Sequence, residues 1–392
     1  MHDFSYYTPT KIVFGRDSEK QTAGLIKEAG AAKVLLHYGG GSAERSGLLD
    51  RIREQLAAGR IPFTELGGVQ PNPRLSLVRE GIALCEREGV DFILAVGGGS
   101  VIDSAKAIGY GVACSGDVWD FYNFKRTATA CLPIGVVLTI AAAGSEMSNS
   151  CVITNDDTWE KRGTKSDAGR PRFAVMNPEL TMTLPPYQTA CGCADILMHT
   201  MERYFNHGEN MELTDGIAEA LMRTVIRNAR LLVKEPENYE ARAEIMWAGS
   251  LSHNGLTGCG TDGGDWAVHK LEHELGAMYD VAHGAGLTAV WGSWARLVYG
   301  ERMERFASFA TNVMNVPWQG NERETALAGI RAAEAFFREI GMPVNMTELG
   351  VAPTEEQIEE LAEKCMKSAQ GMPGIVKKLS REEIAGIYRA AR

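Results

Sequence analysis

Three of the chain's eight histidines fall within fifteen positions, His269-Lys270-Leu271-Glu272-His273-Glu274-Leu275-Gly276-Ala277-Met278-Tyr279-Asp280-Val281-Ala282-His283. If this segment begins helical, His269 and His273 stand one turn apart on one face. Gly276 and the Tyr279-Asp280-Val281 run then let the chain reach His283, which opens another apolar stretch. Imidazole is the commonest nitrogen ligand for a divalent metal, so the stretch reads first as part of a metal site. A zinc-protease helix would need Glu directly after the first His, and Lys270 stands there instead. Two solvated histidines and an unrelated third fit the stretch equally well, so partner ligands must come from elsewhere.

Asp195 and His199 offer such partners. At i and i+4 they put a carboxylate and an imidazole on one helix face. Alone, the pair is as compatible with a capping Asp and a surface His. Joined to His269 and His283 it makes one oxygen and three nitrogens, a set that suits zinc or ferrous iron with one position left open.

Two glycine-rich turns carry a second chemistry. Gly97-Gly98-Gly99-Ser100 follows a strand-like run and precedes a helical one. Glycines there let backbone amides approach a pyrophosphate, and a helix N-terminus adds favourable partial charge. The spacing is not GxGxxG, and a plain turn would look the same. Gly39-Gly40-Gly41-Ser42 closes an earlier strand. Ligands of open α/β sheets bind beyond the carboxyl ends of the strands, so two such turns together favour a dinucleotide. No Asp or Glu follows until Glu44. Glycine amides and the Ser42 hydroxyl would leave room for a 2′-phosphate, as in NADP(H) rather than NAD(H), and a plain left-handed turn before a helix fits as well.

The elements that must position these groups change character along the chain. Up to residue 185, short β-branched runs alternate with amphipathic stretches. The runs are Lys11–Gly15, Lys33–Tyr38, Phe63–Leu66, Asp91–Val96 and Pro133–Leu138, with Cys151–Thr154 and Phe173–Met176 as shorter strands near the sheet edge. This alternation predicts a mostly parallel, doubly wound sheet. A helix of about 15 residues is expected after Gly41. Trp119, Phe121 and Tyr122 either line a substrate cleft or pack in the core. After Leu184-Pro185-Pro186, long amphipathic segments dominate, at about 187–206, 212–233, 237–254, 263–278, 284–298, 301–313, 322–340 and 354–369. Residues 1–185 thus read as an α/β domain and 186–392 as an all-helical one.

Composition narrows the partners. Forty basic against fifty acidic residues give a net charge of −10, which argues against nucleic acid or an anionic membrane as main partner. Eight cysteines without framework spacing read as reduced thiols in a cytoplasmic protein. The N-terminus lacks the basic and apolar regions of a signal peptide.

Taken together, Gly97-Gly98-Gly99-Ser100-Val101-Ile102-Asp103, the Asp195…His199 pair and His269…His273…His283 resemble the iron-containing (group III) alcohol dehydrogenases. Gly144-Ser145-Glu146 and Asn177-Pro178-Glu179-Leu180-Thr181 look like that family's mid-chain motifs. The resemblance spans about residues 5–390 and is closest to the NADP(H)-dependent butanol dehydrogenase and aldehyde reductase branch. It implies an α/β dinucleotide-binding domain followed by an all-α metal domain, a dehydroquinate synthase-like architecture. It implies that Asp195, His199, His269 and His283 hold one Fe2+ or Zn2+, with His273 a proton relay rather than a ligand. Gly97, Gly98, Gly99 and Ser100 would hold the pyrophosphate, with Asp103 near the nicotinamide. Gly39, Gly40, Gly41 and Ser42 would take the adenosine ribose and its phosphate, and Asn72, Thr139 and Ser145 would complete the cofactor site. Lys161 matches a lysine near the nicotinamide. A homodimer acting on small alcohols and aldehydes is implied as well. Two positions depart from the pattern: Ala143 replaces a threonine, and Asn177 stands where Asp is usual. The alternatives are a dehydroquinate synthase-like lyase, a glycerol dehydrogenase-like enzyme, or a metal-dependent hydrolase with merely structural turns.

Overall fold

The computed structural model describes all residues from Met1 to Arg392. It comprises two compact units, Tyr7–Leu184 and Pro185–Arg392, the latter including Met1–Tyr6.

The first unit holds eight strands: β1 (Lys11–Phe14), β2 (Val34–Gly39), β3 (Phe63–Val69), β4 (Phe92–Gly97), β5 (Ile134–Leu138), β6 (Ser150–Asn155), β7 (Glu160–Lys165) and β8 (Phe173–Met176). Its helices are α1 (Thr22–Glu28), α2 (Ser42–Arg45), α3 (Leu48–Ala58), α4 (Leu75–Glu88), α5 (Gly99–Ala113) and α6 (Trp119–Tyr122). Six strands form one parallel sheet in the order β1-β8-β5-β4-β2-β3. Every residue of β4 and β5 is buried, as continuous runs such as Phe92-Ile93-Leu94-Ala95-Val96 require when helices cover both faces.

Three local expectations are corrected. Phe173–Met176 lies inside the sheet between β1 and β5, fully buried, and β1 is the outer strand. Cys151–Thr154 belongs to β6, which pairs antiparallel with β7 in a separate two-stranded sheet. The helix expected after Gly41 is two helices, because Gly47 takes a left-handed φ of 68° and breaks the run between α2 and α3. Trp119, Phe121 and Tyr122 are buried by packing, with Trp119 stacked on Tyr122 at 5.5 Å between centroids. Asn177 has a local reason. Its amide donates to the buried Glu19 carboxylate at 2.9 Å, and Asp there would set two anions together.

The second unit is built from α7 (Pro186–Tyr204), α8 (Glu212–Lys234), α9 (Tyr239–His253), α10 (Ala267–Tyr279), α11 (His283–Val298), α12 (Met303–Asn312), α13 (Glu322–Glu339), α14 (Glu355–Ser368) and α15 (Arg381–Ala390). Apolar residues at helical spacing, such as Leu221, Met222, Val225, Ile226, Ala229 and Leu232 of α8, turn one face inward. Phe205 stacks on Phe306 at 4.1 Å and meets Phe309 edge-on. Helix α15 was not expected from periodicity. Ser380 and Glu383 form a reciprocal capping box at its start, a signal that sequence alone carries. No helix of either unit is long and apolar enough to cross a membrane.

His37, just before the first glycine turn, ties β2 to its neighbours. Its Nδ1 lies 2.8 Å from Leu66 O and its Nε2 2.9 Å from Ser104 Oγ. Burial lowers its pKa to about 4, against 6.5 for a free imidazole. The unfolded chain therefore takes up the proton first, and stability present above pH 6.5 is lost as pH falls toward 4. Urea unfolding at pH 7 and pH 4 should show His37→Gln losing about 3 kcal/mol less on acidification than the parent. Equal losses would place the acid sensitivity elsewhere.

Candidate metal centre and dinucleotide turns

In the helical unit, α7 carries Asp195 and His199 on one face, and α10 carries His269 and His273 one turn apart. Helix α10 stops at Asp280, whose φ of 52° is left-handed, and the chain turns so that His283 is the first residue of α11. Three imidazoles then surround one carboxylate oxygen. Asp195 Oδ1 lies 3.5 Å from His199 Nδ1, 3.7 Å from His269 Nε2 and 3.6 Å from His283 Nε2. Ligands at about 2.1 Å from a tetrahedral ion stand about 3.4 Å apart, close to these separations. Asp195 Oδ1, His199 Nδ1 and His269 Nε2 are buried polar atoms without a hydrogen-bond partner, and ligand atoms of these three residues all lie within 4.8 Å of one another. Convergent orphaned donors of this kind fit a divalent cation. His273 lies beyond them, its ring 6.5 Å from that of His269 and 6.0 Å from that of His283.

The electrostatics agree with that reading. Burial pushes the Asp195 carboxyl up, but His283 and His269 outweigh it and hold the group below its ordinary value. Burial, aided by the neighbouring His269, drives His199 well below the imidazole range, so its nitrogen keeps its lone pair. Burial also works to lower His269, yet the carboxylates of Glu202 and Asp195 raise it to about 9. The same two anions would favour a divalent cation at Nε2, which would displace that proton and supply the positive charge in its place. Asp265, raised to about 6 by burial and by Glu202, anchors the start of α10: its carboxylate accepts from the amides of Ala267, Ile375 and Val376 at 3.1, 2.7 and 2.8 Å.

Close helix approach sets where His283 falls. A Cβ on Gly284 would lie 2.2 Å from Cys191 O and 2.7 Å from its carbonyl carbon, so α11 can begin this near α7 only without a side chain. Gly284→Ala should push His283 away from Asp195 and weaken zinc binding by about tenfold or more in a chelator competition. Unchanged affinity would show that the site tolerates the shift.

In the sheet unit, both glycine turns lie at carboxyl ends of adjacent parallel strands, since β2 pairs with β4 in the register Tyr38↔Val96. From β2 the chain goes to β3 on one side, and from β4 to β5 on the other, so the turns flank the switch point of the sheet. Gly41 has φ of 114°, and Ser42 opens α2. Gly97 ends β4, and Gly99 and Ser100 open α5. A Cβ on Gly97 would meet Val101 Cγ2 at 2.4 Å, and one on Gly99 would meet the Ala143 methyl at 2.9 Å. Thr139 follows β5, its N–H donating to Gly97 O at 3.1 Å. Asn72 is buried with φ of 55° in the loop after β3.

The remaining expected residues are held firmly. Asp103 accepts from Ser145 Oγ at 2.6 Å and from Val152 N at 2.8 Å. Ser145 also accepts from Lys106 Nζ at 2.8 Å. Lys161 is buried on β7, opposite Thr154 of β6. Sequence reading missed Lys106, which is fully buried and also donates to the carbonyls of Ser145, Ser148 and Ser150. It missed Glu202 and Glu272 too, whose carboxylates meet the rings of His269 and His283.

Comparison with known proteins gives the family of the chain. The family descriptions "Iron-containing alcohol dehydrogenase" and "Fe-containing alcohol dehydrogenase family, C-terminal" match residues 9–178 and 189–392. The chain is 41% identical to the probable NADH-dependent butanol dehydrogenase 1 of Bacillus subtilis, over 100% of both chains. It is 34% identical to the NADPH-dependent aldehyde reductase YqhD of Escherichia coli, again over 100% of both. The crystal structure of NADH-dependent butanol dehydrogenase A from Thermotoga maritima superposes with a TM-score of 0.96 at 38% identity, covering 100% of this chain and 99% of that one. With both family profiles matched in sequence order and relatives aligned end to end, the chain belongs to the iron-containing alcohol dehydrogenase family.

Proposed function

We propose that the protein interconverts short-to-medium primary alcohols and their aldehydes by hydride transfer with a nicotinamide dinucleotide, NADP(H) in preference to NAD(H). The observation that carries the reading is the set of three imidazole nitrogens 3.5–3.7 Å from one buried carboxylate oxygen. Asp195, His199, His269 and His283 are the residues that would hold a divalent cation, Fe2+ or Zn2+, and such an ion supplies Lewis-acid polarisation of a carbonyl or alcohol oxygen. The burial of Asp195, His199 and His269 keeps bulk water from competing for their donors, while His283 is part-exposed. The turns Gly39–Ser42 and Gly97–Ser100 bind the adenosine phosphate and pyrophosphate through backbone amides, with Asn72 and Thr139 beside them and Lys106, Ser145 and Asp103 bracing the second turn. His273 handles the proton that balances the reaction: aldehyde, reduced nicotinamide and one proton give alcohol and oxidised nicotinamide. Lys161 is assigned to the nicotinamide end.

The relatives named above divide between NADH and NADPH, so the cofactor preference rests on this chain's own residues. Glu44 and Glu65, the carboxylates near the first turn, are both taken by Arg53, at 2.9 Å each. Arg53 offsets the negative charge of both, which favours a 2′-phosphate there, and the glycines leave space for it. The outer strand β1 offers an edge for pairing with a second copy, and a homodimer is part of the same proposal.

Absorbance at 340 nm tests the reaction. NADPH should be consumed mole for mole with butanal, with kcat/KM about tenfold or more above that for NADH, a difference of about 1.4 kcal/mol. Oxidation of neither nucleotide would favour a lyase or hydrolase, and preference for NADH would overturn the cofactor assignment. His269→Ala should lose both bound metal and turnover, read by metal analysis and rate. A variant that kept both would place the chemistry elsewhere.

A further inference from the structure

An imidazole has two ring nitrogens, and a metal takes only one. In His269 and His283 it is Nε2 that faces Asp195. The opposite nitrogen of each ring, Nδ1, is hydrogen-bonded to a carboxylate: Glu202 for His269 and Glu272 for His283. Both carboxylates are buried, at 1% and 0% exposure. We infer that Glu202 and Glu272 are positioning residues that hold the Nδ1–H tautomer of His269 and His283, so that Nε2 of each ring keeps its lone pair for the cation. The inference rests on the metal reading proposed above.

The two carboxylates form a relay between helices. Glu202 lies on α7 at i+7 from Asp195 and i+3 from His199, on the ligand face. It reaches across to the ring of His269 on α10. Glu272 lies on α10, three residues beyond His269, and reaches the ring of His283 on α11. Each carboxylate therefore orients a ligand that its own helix does not carry. A carboxylate only accepts, so the nitrogen that meets it must bear the proton.

Glu202 has a second task, which defines the competing structural account. Its Oε1 accepts from the amides of Val268 and His269 at 2.8 and 3.2 Å, capping the first turn of α10. Glutamine separates the two tasks. The E202Q amide oxygen can still cap, but its NH2 then meets Nδ1, which must become an acceptor. The ring proton moves to Nε2 and blocks the nitrogen that faces Asp195. E272Q replaces the anion at His283 Nδ1 with a neutral amide, which holds the Nδ1–H tautomer less firmly. Glu274 provides the control, being equally buried on α10 but accepting from Ser368 Oγ at 2.7 Å.

Co2+ affinity of the metal-free protein, the Co2+ d–d spectrum and thermal unfolding of the same metal-free samples test this. E202Q and E272Q should each bind Co2+ about 10- to 100-fold more weakly than the parent, with an altered spectrum. Their metal-free unfolding temperatures should stay close to the parent's, and E274Q should keep the parent's affinity. Parental affinity and spectrum in both glutamine variants would overturn the inference. So would an equal loss in E274Q, which would make buried charge rather than tautomer the cause. If the parent itself bound no Co2+, the metal reading would fall first. Ring 15N spectra of the histidine-labelled parent with Zn2+ need no variant: protons should sit on Nδ1 of both rings, and protonated Nε2 would refute the assignment.

Discussion

A carboxylate buried among apolar helices is costly unless charge and hydrogen bonds answer it, and Asp195 is such a carboxylate. Much of the helical unit can be understood as the answer. Three helices bring imidazoles to one of its oxygens, and those helices need close contacts to do so. Gly284 removes the side chain that would separate α11 from α7, and the left-handed Asp280 ends α10 in time for the chain to turn back. The buried Glu202 would be a second cost if it stood alone. Ring and amide donors around it offset that cost and fix where α10 begins.

The sheet unit solves a different problem with opposite means. Its central strands β4 and β5 are buried on both faces, so they specify depth rather than chemistry. Polar function is confined to the carboxyl ends, where glycine replaces side chains and leaves backbone amides. Beneath the second turn, a fully buried lysine gathers three carbonyls and a hydroxyl around one ammonium. Burial lowers the Lys106 pKa, and the nearby Asp103 opposes that shift. Lys106 thereby ties α5 to the segment from Ser145 to Ser150, and Asp103 ties the same segment to β6.

What the sequence disclosed followed from how local each signal was. Strands β1 to β4 were legible because their apolar runs end at glycine, and Asp195 with His199 because i and i+4 is a local relation. β7 was not legible: Glu160-Lys161-Arg162-Gly163-Thr164-Lys165 shows neither apolar character nor alternation, and only its pairing with β6 makes it a strand. The signal for α15 lies in its Ser380 and Glu383 capping box rather than in a long apolar stripe. The convergence of His283 on Asp195 depends on a turn and a helix contact, and residue spacing alone left His273 as a rival ligand. The resemblance to known dehydrogenases resolved much of that. Glu202 and Glu272 stayed hidden because buried carboxylates are recognised only by what faces them, and what faces them lies on another helix.

One feature of α10 bears on how the protein is made. Asp265 at its start is held by the amides of Ile375 and Val376, 110 and 111 residues later. Glu274 in its middle takes a hydroxyl from Ser368, 94 residues later, and the carbonyl of Leu271 is capped by Tyr388, 117 residues later. A nascent chain that has just delivered His283 thus holds all four donors but not the contacts that lock their central helix. Those arrive only with α14, α15 and the segment between them. The helix at the centre of the donor cluster thus takes its tethers from residues that leave the ribosome after every ligand has.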